Sequence, residues 1–465
     1  MKAKKIIVTL LAAAMATSML ASCSGGNTDD NGEVTISVGN WPAKEGADLD
    51  RMNNMKAQFE EAHTNIKITP DTWAYDLKTF YPKAEAGMLP TIFQSHFTEF
   101  NKLVDGDYVA ELTDVMKETG YWDNINPRLR ELCSVDGKVY ALPTNAYALG
   151  VSYNTKLFAQ AGYMSEDGTP KQPKTWYELA EMAQHIKEVT GVPGFVLETA
   201  KNCGGWFMSN IGWSFGVDWM EQDKDGKWIA TFDTPEAVEA LQFIKDLKWK
   251  YNCVPANNII DQEEATKLYA TGQAAMVLDG PIYNRVVKYE MDPNDYGIMT
   301  LPAGPKKHVA LLGGTLTCVP SNATEGQVKA AFEWFKFTGT NFDEPTDAAK
   351  ENSDKSYTKN VADGMAIGVK DLSVWSDDSP SVKYRNSQID KYNNININHV
   401  KLYNEGLKDD SIELQAEEPM CAQDLYGILD NLIQEVYTNE NADCAALIKK
   451  ANSDFQTNYL DNLDY

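Results

Sequence analysis

The sequence is short of positive charge. It sets 42 Lys and Arg, with five His, against 67 Asp and Glu, for a formal net charge of −25. Nucleic acid is gripped by basic surfaces that neutralise phosphates, so this balance argues against that class of partner, and equally against a peripheral hold on anionic lipid. There is no Cys-x-x-Cys and no His-x-x-x-His pair, and with so few histidines a zinc site has no support. A Gly-rich phosphate loop carrying Lys and Ser/Thr is missing too. No metal or other cofactor is expected. Cysteine is sparse, with seven in the chain. Cys133, Cys203, Cys253, Cys318, Cys421 and Cys444 are widely spaced in a chain long enough to need no staples, so free, mostly buried thiols are expected. Beyond the first 22 residues no apolar run approaches the ~20 residues a membrane span requires.

What is present begins at the N-terminus. Lys2, Lys4 and Lys5 precede an apolar stretch from Ile6 to Leu20, and small residues come next. That order reads as a secretory signal peptide over 1–22. Leu20-Ala21-Ser22-Cys23 resembles the lipobox of bacterial lipoproteins. The resemblance implies cleavage before Cys23, acylation of its thiol and a tether to the outer face of the cell membrane or the periplasmic side. Residues 23–32, polar and rich in Gly and Asn, are expected to form a lipid-anchored flexible linker.

The remainder is too long for one ordinary core. With 43% hydrophobic residues and 11 Trp, 22 Tyr and 16 Phe it is globular rather than disordered. Strands are expected at Val34–Val38, Ile66–Thr69 and Thr91–Phe93, and helices at Asp48–Ala62 and Tyr75–Ala86. This alternation implies an open α/β sheet. Val139–Tyr153 reads as extended. Thr175 with Glu178 reads as a capping box opening a helix to Thr190. Asp223–Gly226 reads as a hairpin turn, and Thr234-Pro235 as a helix start. Two closing helices are expected at Leu425–Tyr437 and Asp443–Tyr459. The polar stretch Asn341–Val361 reads as a loop.

Catalytic motifs are weak. Gly212-Trp-Ser-Phe-Gly216 matches the spacing of a hydrolase nucleophile elbow, but the next segment, Val217–Glu221, leads into a hairpin turn rather than a helix. The acidic pairs Glu263-Glu264, Asp377-Asp378, Asp409-Asp410 and Glu417-Glu418 read as solvated surface. No enzyme is expected. Aromatic residues say more. In open α/β sheets ligands sit outside the carboxyl ends of strands, where Trp41 and His96 fall. Flat aromatic faces suit sugar rings, and neighbouring polar groups suit hydroxyls. The candidate binding set is Trp41, His96, Asn145, Tyr147, Trp206, Trp213, Asp279, Tyr283, Gly314 and Trp375.

Several segments then line up in order: Gly137-Lys-Val-Tyr-Ala-Leu-Pro143, Gly150-Val-Ser-Tyr-Asn154, Lys174-Thr-Trp-Tyr-Glu-Leu179, Gly272-Gln-Ala-Ala-Met276 running to Asp279-Gly-Pro281, Tyr296–Pro302 and Gly313-Gly314. Together they resemble the family-1 extracellular solute-binding proteins of ABC importers. The resemblance implies a two-lobed α/β periplasmic-binding-protein-like fold of the class II type, with a hinge and an interlobe ligand cleft. Lobe 1 would comprise 33–143 and 302–345, and lobe 2 would comprise 144–301 and 346–465. It implies a monomer that captures a mono- or oligosaccharide and delivers it to membrane permease subunits. A peptide or polyamine is the alternative solute, and an anchored carbohydrate-active enzyme the alternative class. At Ile282 and in Met420–Leu425 the family's maltose binder has aromatics that this chain lacks, which argues against maltose itself.

Overall fold

The computed structural model describes residues 32–409 and 411–463. The expected signal peptide, Cys23, most of the linker and Asp410 lie outside the described residues. Thirteen strands occur among the described residues: β1 (Val34–Val38), β2 (Ile66–Pro70), β3 (Phe93–His96), β4 (Ser134–Val135), β5 (Lys138–Val139), β6 (Leu142–Ala148), β7 (Gly150–Asn154), β8 (Met220–Gln222), β9 (Trp228–Ala230), β10 (Met276–Asp279), β11 (Tyr296–Thr300), β12 (Val309–Cys318) and β13 (Glu413–Gln415). The chain forms two compact units. Among the described residues, one holds 32–93 with Val319–Thr338, the other Gln94–Cys318 with 339–463.

In the first unit β1 and β2 pair in parallel, Val34 opposite Ile66 through Val38 opposite Pro70. Ile36, Val38, Ile66 and Ile68 are buried, as period-two alternation requires of a half-buried strand. The helix Glu325–Phe337, opened by a reciprocal capping box between Thr324 and Gln327, closes over this pair. Gln327 Nε2 donates to the Thr35 carbonyl at 3.0 Å, and Trp334 meets Phe59 of the helix Ala47–Ala62 edge-on at 5.1 Å.

In the second unit β12 is the spine. It pairs antiparallel with β6, Leu312 opposite Ala148 through Thr317 opposite Leu142, with a register shift between Thr315 and Leu316. It also borders β13 and β3. Pro143, which has no N–H to give a ladder, sits opposite Leu316 beside that bulge, a position such a residue tolerates. A second sheet runs β10-β7-β11, antiparallel throughout, with every residue of its three strands buried.

Leu142-Pro143, at the expected lobe boundary, opens β6, which with its partner β12 lies in the second unit. The stretch expected as a loop holds the helix Asp347–Ala362. It buries no residue, so it leaves no apolar period to read. The Thr346 side chain, which accepts from Ala349 N, and a Lys355–Glu351 pair at 2.7 Å support it instead. The helix Trp176–Thr190 starts at Thr175 as expected, but the Glu178 carboxylate accepts from Lys174 N at 2.8 Å rather than from the cap itself. Ser214 lies inside the helix Cys203–Phe215, is fully buried and accepts from Trp176 Nε1 at 2.9 Å, so no nucleophile elbow exists. The six cysteines from Cys133 to Cys444 are free thiols.

Candidate solute-binding site

The second unit gathers strand ends, a helix start and a return segment around Tyr147. β6 carries Tyr147, which stands opposite Gly313 of β12. A side chain on Gly313 would overlap the phenol ring, and a Cβ on Gly280 would come within 3.0 Å of its Cδ2. The ring therefore lies between two backbones that only glycine leaves bare. Gly280 comes directly after Asp279, the last residue of β10. Asp279 is buried, accepts from Gly280 N at 2.6 Å and pairs with Arg285. A parallel bridge between Val196 and Val277 brings Glu198 alongside Asp279. Both carboxyl oxygens of Glu198 are buried without a well-formed hydrogen bond. Burial, reinforced by the charge of Asp279, pushes Glu198 well above the usual carboxylate range.

The helix Cys203–Phe215 starts at this place because Asp430 reaches its first turn. Asp430 accepts from Asn202 N and Gly205 N, each at 2.7 Å, answering amides that a helix start leaves unpaired. Trp206, in that first turn, is half-buried, and its indole N–H is shut from solvent without a well-aligned partner. It lies close enough to Glu417 to steady the carboxylate. Glu417 accepts from Tyr426 Oη at 2.8 Å. Burial lifts Glu417 to about 7 even so, with Glu99 adding to the rise. Burial, with Glu417 and Asp279 adding and Arg285 opposing, lifts the Tyr147 phenol to about 12. These four groups thus share one electrostatic neighbourhood. It offers an aromatic face, an indole donor, carboxylates and a guanidinium, a mixture of donors and acceptors around flat apolar surface.

Of the residues proposed from sequence, Tyr147, Asp279 and Trp206 come together here. Gly314 and Asn145 adjoin them on the β6–β12 ladder. A Cβ on Gly314 would overlap the Asn145 carbonyl and meet the Phe97 ring at 3.0 Å. His96, exposed at the end of β3, precedes that phenylalanine. Four others are elsewhere. Trp41 packs into the first unit's core, 3% exposed, stacked on Trp334 at 6.3 Å. Trp213 is 1% exposed and donates to Glu418 Oε1 at 2.7 Å. Neither ring presents a face to a solute. Tyr283 donates to Asp371 Oδ2 at 2.9 Å, and Trp375 meets Tyr121 edge-on at 5.4 Å. Sequence reasoning missed Glu198, Arg285, Glu417 and Tyr426. The acidic pair Glu417-Glu418, expected in solvent, is largely buried. Its flanking Pro419 and the apolar helix after it were the available signal.

Residues 43–341 match the family model described as bacterial extracellular solute-binding protein. An ABC transporter extracellular-binding protein of Pyrococcus horikoshii is 28% identical over 327 residues, 64% of this chain and 70% of that protein. The arabinooligosaccharide-binding protein of Bacillus subtilis is 26% identical over 344 residues, 71% of this chain and 75% of that one. Among solved structures, maltose-bound MalE3 of T. maritima superposes with a TM-score of 0.61 at 21% identity, covering 91% of this chain and 99% of that one. UgpB of Mycobacterium tuberculosis, in complex with glycerophosphocholine, reaches 0.61 at 15% identity, covering 91% and 98%. The fold is the two-lobed α/β fold of periplasmic-binding proteins, and the chain belongs to the bacterial extracellular solute-binding proteins, the family-1 receptors of ABC importers.

Proposed function

We propose that the protein captures a carbohydrate, a mono- or oligosaccharide, at the Tyr147–Trp206 site and delivers it to a membrane permease. The observation that carries this reading is the Trp206 indole N–H, buried without a well-aligned partner beside Glu417 and near the wedged Tyr147 ring. A buried donor whose acceptor is poorly aligned is under-satisfied, and a ligand hydroxyl would complete it. Sugar hydroxyls both donate and accept, which suits Trp206, Glu417, Asp279 and Arg285 together. The half-buried Trp206 ring supplies the flat face for the C–H side of a pyranose or furanose, and Tyr147 borders it. His96, Asn145 and Gly314 would border the bound solute.

Capture would close lobe 1 (33–143, 302–345) on lobe 2 (144–301, 346–465), with the ligand contacting both only in the closed state. The family is one of extracytoplasmic binding proteins, and a lipid on Cys23 would keep the receptor beside its permease. The B. subtilis relative binds arabinooligosaccharides and the T. maritima structure holds maltose, which supports a saccharide. The chain's formal net charge of −25 favours a second reading, a cationic solute such as a polyamine or basic peptide. A thermal-shift panel separates the two, because a ligand that binds only the native state raises apparent stability by RT ln(1 + [L]/Kd). Pentose and hexose oligosaccharides are expected to raise Tm in wild type and not in Trp206→Ala. Stabilisation by spermidine or a basic peptide with no response to saccharides would overturn the carbohydrate assignment.

A further inference from the structure

A second polar cluster lies in the same unit; its lining includes Asn145, but its open hydrogen-bonding groups play no part in the Tyr147–Trp206 site. Its centre is Asp371 with Arg385. Two cavities share these residues as lining. One, of about 300 Å³, runs past Thr144, Asn145, Ser373, Trp375 and Ser381. The other, of about 340 Å³, runs past Tyr283, Ser353, Tyr357 and Asn360. Tyr147, Trp206, Asp279 and Glu417 line neither. Three atoms on these lining residues are buried without a hydrogen-bond partner: Asp371 Oδ1, Arg385 Nε and Ser381 Oγ. The other Asp371 oxygen accepts from Tyr283 Oη at 2.9 Å, and Arg385 Nη2 donates to the Asp371 carbonyl at 3.3 Å. Native proteins satisfy nearly all such groups, so an acceptor, a donor and a hydroxyl left open at one place call for an occupant.

The chemistry of the cluster narrows that occupant. Asp371 and Arg385 carry opposite charges, so the site as a whole favours a neutral molecule over an ion. Both an acceptor and a donor are open, so the molecule must give and receive hydrogen bonds. The serine hydroxyls and Asn360 extend the same demand, while Trp375 and Tyr357 offer apolar faces. Each cavity has room for about ten waters, or one six-carbon polyol, at roughly 30 Å³ per water.

We infer that the Asp371–Arg385 cluster is a second small-molecule site, which takes a neutral polyhydroxylated compound of three to six carbons. The site stands apart from the carbohydrate reading of the Tyr147 site and does not depend on it. Isothermal titration with D-sorbitol and with glycerol tests it. The expected result is a saturable heat in wild type that persists in Trp206→Ala and weakens at least tenfold in Asp371→Asn. Asn360→Ala guards against a folding artefact, since its helix buries no residue, and it is expected to weaken binding at least threefold. Three results would overturn the inference: no saturable heat with either polyol, binding lost in Trp206→Ala but kept in Asp371→Asn, or a crystal structure grown in sorbitol with ordered water only at Asp371 and Arg385.

Discussion

Trp206 and Trp213 stand seven residues apart on one helix, and each indole faces one of two consecutive glutamates. The Trp213 pair is closed. Its indole donates to Glu418 at 2.7 Å and both side chains are buried. The Trp206 pair is open. The ring is half-buried, and its N–H reaches Glu417 only in poor alignment, while Glu417 also accepts from Tyr426. The residue types are the same, and so is the pressure of burial, which lifts both glutamates to about 7. What differs is how well the donor has been answered from within the chain. A closed pair secures the fold, whereas an open pair keeps hydrogen-bonding capacity for something that arrives later.

That contrast can be broken by mutation. Trp213→Ala should cost about 4 kcal/mol in chemical denaturation, as for other buried Trp-to-Ala changes, and it also strips Glu418 of its donor. Trp206→Ala should cost under about 1.5 kcal/mol, because that ring is only half-buried. A loss equal to that of Trp213→Ala would erase the distinction. The pH response of Glu418 comes next in size. A carboxyl whose folded pKa is raised binds its proton more tightly in the native state than in the unfolded one. The stabilisation is full below about 4.5 and is lost as pH rises through about 7. Glu418→Gln keeps an acceptor for Trp213 without the cost of burying charge. Relative to wild type it should gain about 2 kcal/mol at pH 8 and little at pH 4.5. A flat difference across that range would contradict the burial of Glu418. Gly313→Ala should leave stability within about 2 kcal/mol while pushing the Tyr147 ring off its seat. Saccharide affinity should then fall about tenfold, and unchanged affinity would remove Tyr147 from the site. The smallest effect belongs to the exposed Lys355–Glu351 pair, where Lys355→Ala should leave the denaturation midpoint unchanged.

How much of this was legible in the sequence depends on the kind of signal. β1, β2, the hairpin at Asp223–Gly226 and both closing helices carried period or cap chemistry and lie where that chemistry put them. The helix Asp347–Ala362 was invisible because it is polar on all sides. At the site, Asp279 was legible as the end of a buried run, and Tyr147 as an aromatic beside the Leu-Pro step. Glu198 and Glu417 were not, because a buried carboxylate looks like a surface one until its neighbours are known. Glu198 is brought to Asp279 by a single bridge between Val196 and Val277, 81 residues apart in the chain. Trp41 and Trp213 were misread for the same reason in reverse. An aromatic near a strand end or helix start is equally a core residue, and packing against Trp334 and Glu418 decided the matter.

The most direct test is calorimetric titration of wild type, Trp206→Ala and Trp213→Phe with the saccharide that gives the largest thermal shift. The expected result is at least a tenfold loss of affinity in Trp206→Ala and a change within threefold in Trp213→Phe. Equal losses in both, or a loss confined to Trp213→Phe, would contradict the claim that the open indole is where solute binds.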